Sequence, residues 1–547
     1  MRFARHGKQW LRRAAGRGLW ESIERGVAWA AVLAVTIPGI ALGAGAAAAN
    51  FSELLAKPAA ERAFWGIRIV DLDSGQTLFE HNPDKLFVPA SNAKLYSTAL
   101  ALTRLGPANI FTTSILADGK VSEQGVLTGN LVLRGGGDPG FSARIIPYEA
   151  KNEFAADRLK PVKALVEQII AAGIKKIDGD IIGDDSRYVW QPYGVGWSVD
   201  DGDHGYGAPV SALTLNDNVI DLTVLPGLAA RQPARLEFDP KTPYFDVNNM
   251  LTTAASRTVA RNLAFDLDPR QRIVHLWGEI SARSGGRRLS LPVDDPALFA
   301  AMALRDELIE RGVTIAGAAR GVHLYPFSVP SLLQAAAPPA EDTRTVLARL
   351  DSLPLPETIR IVNKVSQNLH AEMLLREVAL KMRGVGSREA GQQELRAFLR
   401  EIGLGPAEFF LRDASGLSRH DLVTPAGTVQ LLRHMWQSEL RKPYVDSLPL
   451  AGEDGTLDWR FSKSAARGKI RAKTGTLTHV TALSGYAFTD DGRNLAFSIL
   501  VNNFGAPTSY IRSVVDDICL EMLAPMAPPA SSNESTTRPA GSLSSAR

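Results

Sequence analysis

The chain has 547 residues, too many for a single hydrophobic core, so two or three domains are expected. Hydrophobic residues at 45 % and charged residues at 22 % are the proportions of an ordinary globular protein. The formal charge of +3 is gathered at one end: seven basic groups against Glu21 and Glu24 give the first 25 residues a net +5, which leaves about −2 for the rest and excludes the basic face of a nucleic-acid binder.

In chain order, Arg2, Arg5, Lys8, Arg12, Arg13, Arg17 and Arg25 precede an apolar, small-residue stretch from Gly26 to Ala49 that ends Ala47-Ala48-Ala49-Asn50. Residues 1–49 therefore read as a secretory signal peptide, with an uncleaved N-terminal anchor as the alternative; either exports the body. Phe64–Leu72 alternates in strand fashion, turns at Asp73-Ser74-Gly75 and returns through Gln76–Glu80, which predicts a hairpin. Helix formers from Leu95 to Leu105, stopped by Gly106-Pro107, predict a helix that begins near Ser91. From about Thr112 to Leu333 short β-rich segments alternate with Gly, Asp and Pro clusters, and one amphipathic helix is expected at Pro296–Arg311. After an Ala/Pro linker at Ala335–Ala340, helical patterns resume through Arg441. Gly468–Phe504 predicts three strands, the last two joined by a turn at Thr489–Arg493. In the helix Tyr510–Met522 that follows, Cys519, the one cysteine, shares the spacing of Ile511, Val514, Val515 and Ile518 and is expected to be a buried structural thiol. Residues 524–547 are rich in Pro, Ser, Thr and Ala and read as a disordered tail.

Three short motifs carry candidate chemistry. In Ser91-Asn92-Ala93-Lys94 the lysine at i+3 shares the helix face of the serine, and a partly desolvated lysine can serve as base to a hydroxyl nucleophile. In Ser366-Gln367-Asn368 a second hydroxyl beside a carboxamide can relay a proton to a leaving amine and hold a substrate amide. In Lys473-Thr474-Gly475-Thr476, on a predicted strand, the glycine marks a close backbone approach, and the edge can take a peptide as an added strand with lysine and threonine meeting its terminal carboxylate. Each motif alone is weak. An N-cap serine, a turn and a solvated strand lysine would account for them separately. In this order on a helix start, a helical region and a late strand, they form the pattern of penicillin-binding proteins and serine β-lactamases.

The chain resembles the low-molecular-mass class C penicillin-binding proteins, the D-alanyl-D-alanine carboxypeptidases/endopeptidases of the penicillin-binding protein 4 type. The likeness extends over Phe64–Met522, through Gly129–Pro139, Ile177–Asp180, Gly207–Ala212, Asp413-Ala-Ser-Gly-Leu-Ser-Arg419 and Leu448–Leu457. It departs from the family at Gln367, where Asp or Asn is frequent, and at Ala414, where Gly is frequent; neither supplies a reacting atom. The resemblance implies an α/β (α+β) fold in which a transpeptidase/β-lactamase-like domain is built from both ends of the chain, residues 50–111 and 334–523. Two β-rich domains would be inserted, one from 112–135 and 236–333, the other from 136–235. It further implies that Ser91 attacks the carbonyl of the penultimate D-alanine of a peptidoglycan stem peptide and Lys94 takes its proton, with the Lys473–Ser366 pair as the alternative route for that proton. Ser366 would pass a proton to the departing D-alanine and Asn368 position the substrate amide. Lys473 and Thr474 would bind the terminal carboxylate, and the backbone N–H groups of Ser91 and Thr476 form the oxyanion hole. Asp201, in Gly196-Trp197-Ser-Val-Asp-Asp201, is associated in the family with the amino end of a diaminopimelyl side chain; Asp200 and Asp203 lie beside it in an acidic loop that can also be simply solvated. Stem peptides ending in D-Ala-D-Ala, crosslinked peptides and β-lactams as covalent inhibitors are the expected partners, in the periplasm, with peripheral or anchored membrane association possible.

Other readings fare worse. Gly135–Gly137 lacks the Gly-Lys-Ser/Thr ending of a phosphate loop, and the nine histidines show no zinc spacing, so no cofactor or metal is expected. A serine β-lactamase would seldom carry an insertion of this size, and a non-catalytic peptidoglycan-binding scaffold would not be expected to keep Ser91, Lys94 and Lys473.

Overall fold

A computed structural model of the protein describes residues 50–525 apart from 152, 256–261 and 336–341. The expected leader, nearly all of the Ala/Pro linker and the tail from 526 lie outside the described residues.

The two ends of the chain meet in one five-stranded antiparallel sheet, in the order Ile470–Leu477, Val480–Phe488, Asn494–Asn502, Phe64–Asp71, Thr77–His81. The predicted hairpin and the three late strands are all present. They join where Phe64–Asp71 pairs with Asn494–Asn502, Trp65 opposite Val501 and Ile67 opposite Ile499. Strand alternation divides the apolar side chains between two faces. Trp65, Ile67, Ile499 and Val501 pack against Ile511, Val514 and Ile518 of the C-terminal helix Thr508–Leu523, and Cys519 is fully buried there. Tyr486, Ala496 and Leu500 face the other way, into helices Ala93–Leu105, Asn368–Arg383, Arg388–Glu401 and Pro425–Gln437. The three sequence motifs lie where this helical layer meets the sheet edge.

The insertion is more helical than expected and is divided elsewhere. A seven-stranded sheet takes Thr112–Val121 and Val126–Arg134, then Ile181–Val189, Ala319–Leu324 and, beyond the expected limit at 333, Thr345–Asp351, which pairs antiparallel with Thr112–Val121. Helix Lys160–Ala171 packs beside Pro296–Glu310 on this unit; its Val162, Leu165, Val166 and Ile169 bury at helical spacing, a signal the β-rich reading passed over. Two three-stranded sheets, both from 219–292, form the second unit. The boundaries at 135/136, 235/236 and 333/334 therefore do not follow the sheets. The reason is physical: both units share one apolar core, running from Ile115 and Leu131 through Leu222 and Leu276 to Phe299, so no exposed linker marks the division.

Candidate active site

The site is assembled around a tight turn. Pro89 leads into a single 3-10 turn, Ala90–Asn92, with Ala90 at φ +48°, and the helix proper starts at Ala93. This leaves Ser91 partly exposed at the helix head and sends Lys94, one turn on, into the interior, where it is fully buried. Lys94 Nζ lies 2.9 Å from Ser91 Oγ. It also donates to Asn368 Oδ1 at 2.6 Å and to the backbone carbonyl of Ser415 at 2.5 Å. Those last two partners only accept, so they take two of the amine's hydrogens, and the direction toward Ser91 is where its lone pair falls once it is neutral. Burial pushes the Lys94 pKa down to about 7, against the opposing pull of Asp413, Glu372 and Asp421.

The loop that supplies Ser415 is folded by one carboxylate. Asp413, fully buried, accepts from the backbone N–H of Ser415, Gly416 and Ser418 and from Ser415 Oγ. Glu372 accepts from the N–H of Ala414 and Ser415 and pairs with Arg376. Gly416, at φ +78°, passes so close that a Cβ would stand 1.8 Å from the Ala90 carbonyl oxygen. Only glycine fits there.

Ser366 sits between helices Leu355–Lys364 and Asn368–Arg383 in a left-handed conformation, φ +66°, uncommon outside glycine. Its hydroxyl accepts from Lys473 Nζ at 2.9 Å. Lys473 also donates to the carbonyl of Thr474 at 2.9 Å, and burial, followed by the charge of Lys94, holds its pKa well below the usual lysine range. Ile470–Leu477 is an edge strand of the sheet, as a β-addition site requires. Gly475 lets it slide under the Ala90–Asn92 turn, since a Cβ there would meet the Pro89 carbonyl oxygen at 2.7 Å. Thr474 Oγ1 bonds Thr456 Oγ1 at 2.8 Å, and Thr476 is exposed.

The insertion closes over the site at three points. Asn368 Nδ2 donates to the carbonyl of Tyr206 at 2.8 Å, the Trp197 indole N–H donates to Asp413 at 2.8 Å, and the Gly455 N–H donates to the Tyr148 hydroxyl at 3.1 Å. An open cleft of about 980 Å³ runs from Ser366 and Asn368 past Tyr206 to Arg144, Arg158 and Arg288 of the insertion. Asp201 stands in the 3-10 turn Val199–Asp203, where its Oδ2 caps the turn by accepting from the Ser198 N–H at 2.9 Å. The structure thus gathers all residues of the three motifs at one place, and sets the Asp201 side chain near Tyr206, which lines the cleft.

Residues 47–518 match the D-Ala-D-Ala carboxypeptidase 3 (S13) family. The chain belongs to this family. Membership gives it the activity of a serine-type D-Ala-D-Ala carboxypeptidase. Among curated relatives of the S13 enzyme, a D-alanyl-D-alanine carboxypeptidase of Actinomadura sp. (strain R39) is 31 % identical over 485 residues, 86 % of this chain and 84 % of the relative. D-alanyl-D-alanine carboxypeptidase DacB of Haemophilus influenzae is 24 % identical over 442 residues, 79 % of this chain and 84 % of that protein. Among solved structures, penicillin binding protein 4 (dacB) of Haemophilus influenzae superimposes with a TM-score of 0.72 at 23 % identity, covering 86 % of this chain and 98 % of that one. The fold expected from the resemblance is therefore the fold found. The sequence motifs omit Ser415, whose carbonyl accepts from Lys94, and Glu372 and Asp413, which fold its loop; the block Asp413–Arg419 carries family likeness, and an Asp followed by Ser-Gly is also a turn-capping pattern.

Proposed function

We propose that the three motifs act as one acyl-transfer site in which Ser91 is the nucleophile, with Lys94 as its base and the Lys473–Ser366 pair as the route to the leaving amine. One observation carries this: Lys94 reaches Ser91 Oγ at 2.9 Å while Asn368 and Ser415 fix its two remaining donor directions. Ser91 Oγ bonds to the carbonyl carbon of the penultimate D-alanine as its proton passes to Lys94. The tetrahedral oxygen takes hydrogen bonds from the backbone N–H groups of Ser91 and Thr476. The C–N bond then breaks, and the proton that Lys94 took passes by way of Ser366, which Lys473 holds in place, to the departing amine, returning Lys94 to the amine. Water, activated by the returned Lys94 amine, hydrolyses the ester. Asn368 keeps its second amide hydrogen for a substrate carbonyl, the first being used by Tyr206.

The leaving amine defines the substrates: a free D-alanine gives carboxypeptidase action, and the amine of a neighbouring stem peptide gives endopeptidase action on crosslinks, for which the wide cleft has room. The same acylation by a β-lactam, whose ring amide cannot diffuse away, leaves a long-lived adduct. Asp201 is the proposed reader of a diaminopimelyl ammonium, supported by its nearness to Tyr206, which lines the cleft. The proposed setting is the periplasm, reached through the basic and apolar leader; among the described residues no helix is long and apolar enough to cross a membrane. Intact-protein mass spectrometry after benzylpenicillin tests the core of the proposal. An adduct on Ser91, absent from Ser91→Ala, is expected; an equal adduct on the variant removes Ser91 from the role, and rapid hydrolysis without an adduct indicates a β-lactamase.

A further inference from the structure

A second, smaller cavity of about 240 Å³ opens beside the substrate edge, lined by Thr474, Gly475 and Thr476 on one side and by Trp459, Arg460 and Arg512 on the other. Two cations line it and no Asp or Glu does. The two arginines are not equivalent. Arg460 is buried, and its guanidinium is matched by Asp516, with Nε donating to Oδ1 at 3.1 Å. Arg512, half-buried on the C-terminal helix, lies with its guanidinium carbon 5.4 Å from the ring centroid of Trp459; Asp516, four residues on, acts on it electrostatically but makes its close ion pair with Arg460. A partly desolvated cation held against an aromatic face, beside two threonines and with only a shared carboxylate, is the chemistry of an anion site.

The substrate has an anion to place there. The outer edge of the strand Ile470–Leu477 is covered by Pro449–Ala451 as far as Ala472, so a peptide added with its scissile carbonyl at Ser91 pairs beyond that point and carries its last residue past Thr474–Thr476. The residue expected from sequence to meet that carboxylate, Lys473, already donates from Nζ to Ser366 and to the Thr474 carbonyl. Burial, followed by the charge of Lys94, also holds its pKa well below the usual lysine range. We propose that Arg512 is the cationic anchor of the leaving residue, binding the carboxylate that lies next to the departing amine, with the Thr474 and Thr476 hydroxyls as its companions. This rests on the acyl-transfer reading above and adds to it the group that selects a free carboxylate.

The test compares two peptides ending in D-Ala-D-Ala, one with a free C-terminal carboxylate and one with a C-terminal carboxamide, on the full chain. The unsubstituted enzyme is expected to prefer the carboxylate. Arg512→Gln should lower kcat/KM for the carboxylate peptide about tenfold, mostly through KM, and leave the carboxamide peptide unchanged. Arg512→Lys should recover part of the loss. An equal fall on both peptides, or none on either, overturns the proposal, because then the guanidinium does not read the carboxylate. A thermal melt of Arg512→Gln that matches the parent shows that the loss is not one of folding. Failure of the underlying reading looks different: the unsubstituted chain would turn over neither peptide and form no Ser91 adduct, and the Arg512 assignment would fall with it.

Discussion

Lys94 Nζ donates to the carboxamide oxygen of Asn368 at 2.6 Å, so the first and second motifs, 274 residues apart in sequence, share one buried hydrogen bond. A neutral amide at this place leaves the lysine free to lose its proton; a carboxylate would not. Asn368→Asp should therefore raise the Lys94 pKa and slow acylation by benzylpenicillin at neutral pH by about 100-fold or more. Stopped-flow acylation rates of the two proteins decide it, and equal rates would remove Lys94 from the base's role.

The pH profile follows from the same residue. Burial brings Lys94 down to about 7, so it is an ammonium below that pH and an amine above it. Acylation should rise with pH through about 7 and level off on the alkaline side, and in Asn368→Asp the rise should move to higher pH. A rate flat from pH 6 to 9 would contradict the assignment.

Ser366 allows a separation of chemistry from backbone strain. Its φ of +66° suits glycine, so Ser366→Gly keeps the turn at no steric cost and deletes only the hydroxyl that Lys473 holds. The melting temperature should stay within a few degrees, while kcat for peptide cleavage falls about 100-fold. Parallel measurement of Tm and turnover checks both halves.

Gly416→Ala should act on the site from behind. A Cβ 1.8 Å from the Ala90 carbonyl, at φ +78°, forces the loop and the nucleophile turn apart. A stability loss on the order of 3 kcal/mol is expected in urea titration. The protein that remains folded should acylate more slowly, because the Ser415 carbonyl moves off Lys94.

Asp201→Asn keeps an oxygen to cap the Ser198 N–H but removes the charge. KM should rise for stem peptides with a free diaminopimelyl ammonium and stay constant for peptides in which that amine is acetylated. Equal KM values for the parent and the variant on the free amine would return Asp201 to a purely local capping role.

Much of this was legible in the sequence. Ser91, Lys94, Ser366, Asn368 and Lys473 are recognisable because the chemistry fixes their types and their local spacing, and the strand–strand–strand–helix ending follows from plain alternation and helical periodicity. What could not be read is whatever depends on distant backbone. The Ser415 carbonyl has no sequence identity to advertise. Arg512 looks like any polar residue on an amphipathic helix until the fold sets it against Trp459. The motif points Lys473 at a substrate carboxylate, but it cannot tell that the side chain also donates to Ser366 and to the Thr474 carbonyl. The domain limits inside the insertion failed for a similar reason: a shared core leaves no compositional seam, and Thr345–Asp351 returns to a sheet begun more than 200 residues earlier.

The pairing of the first strand with the last has a consequence for the life of the chain. The Val88 N–H donates to the Asn502 side chain across 414 positions, and the edge strand Ile470–Leu477 is separated from Phe64–Asp71 by two strands, Val480–Phe488 and Asn494–Asn502, that are synthesised long after it. Until those strands pair, Ile470–Leu477 is not joined to the strand that leads to Ser91, and the proposed site lacks its Thr476 side. The proposed acyl-transfer site is therefore expected to stay inactive during synthesis, switched on by the docking of its own late strands.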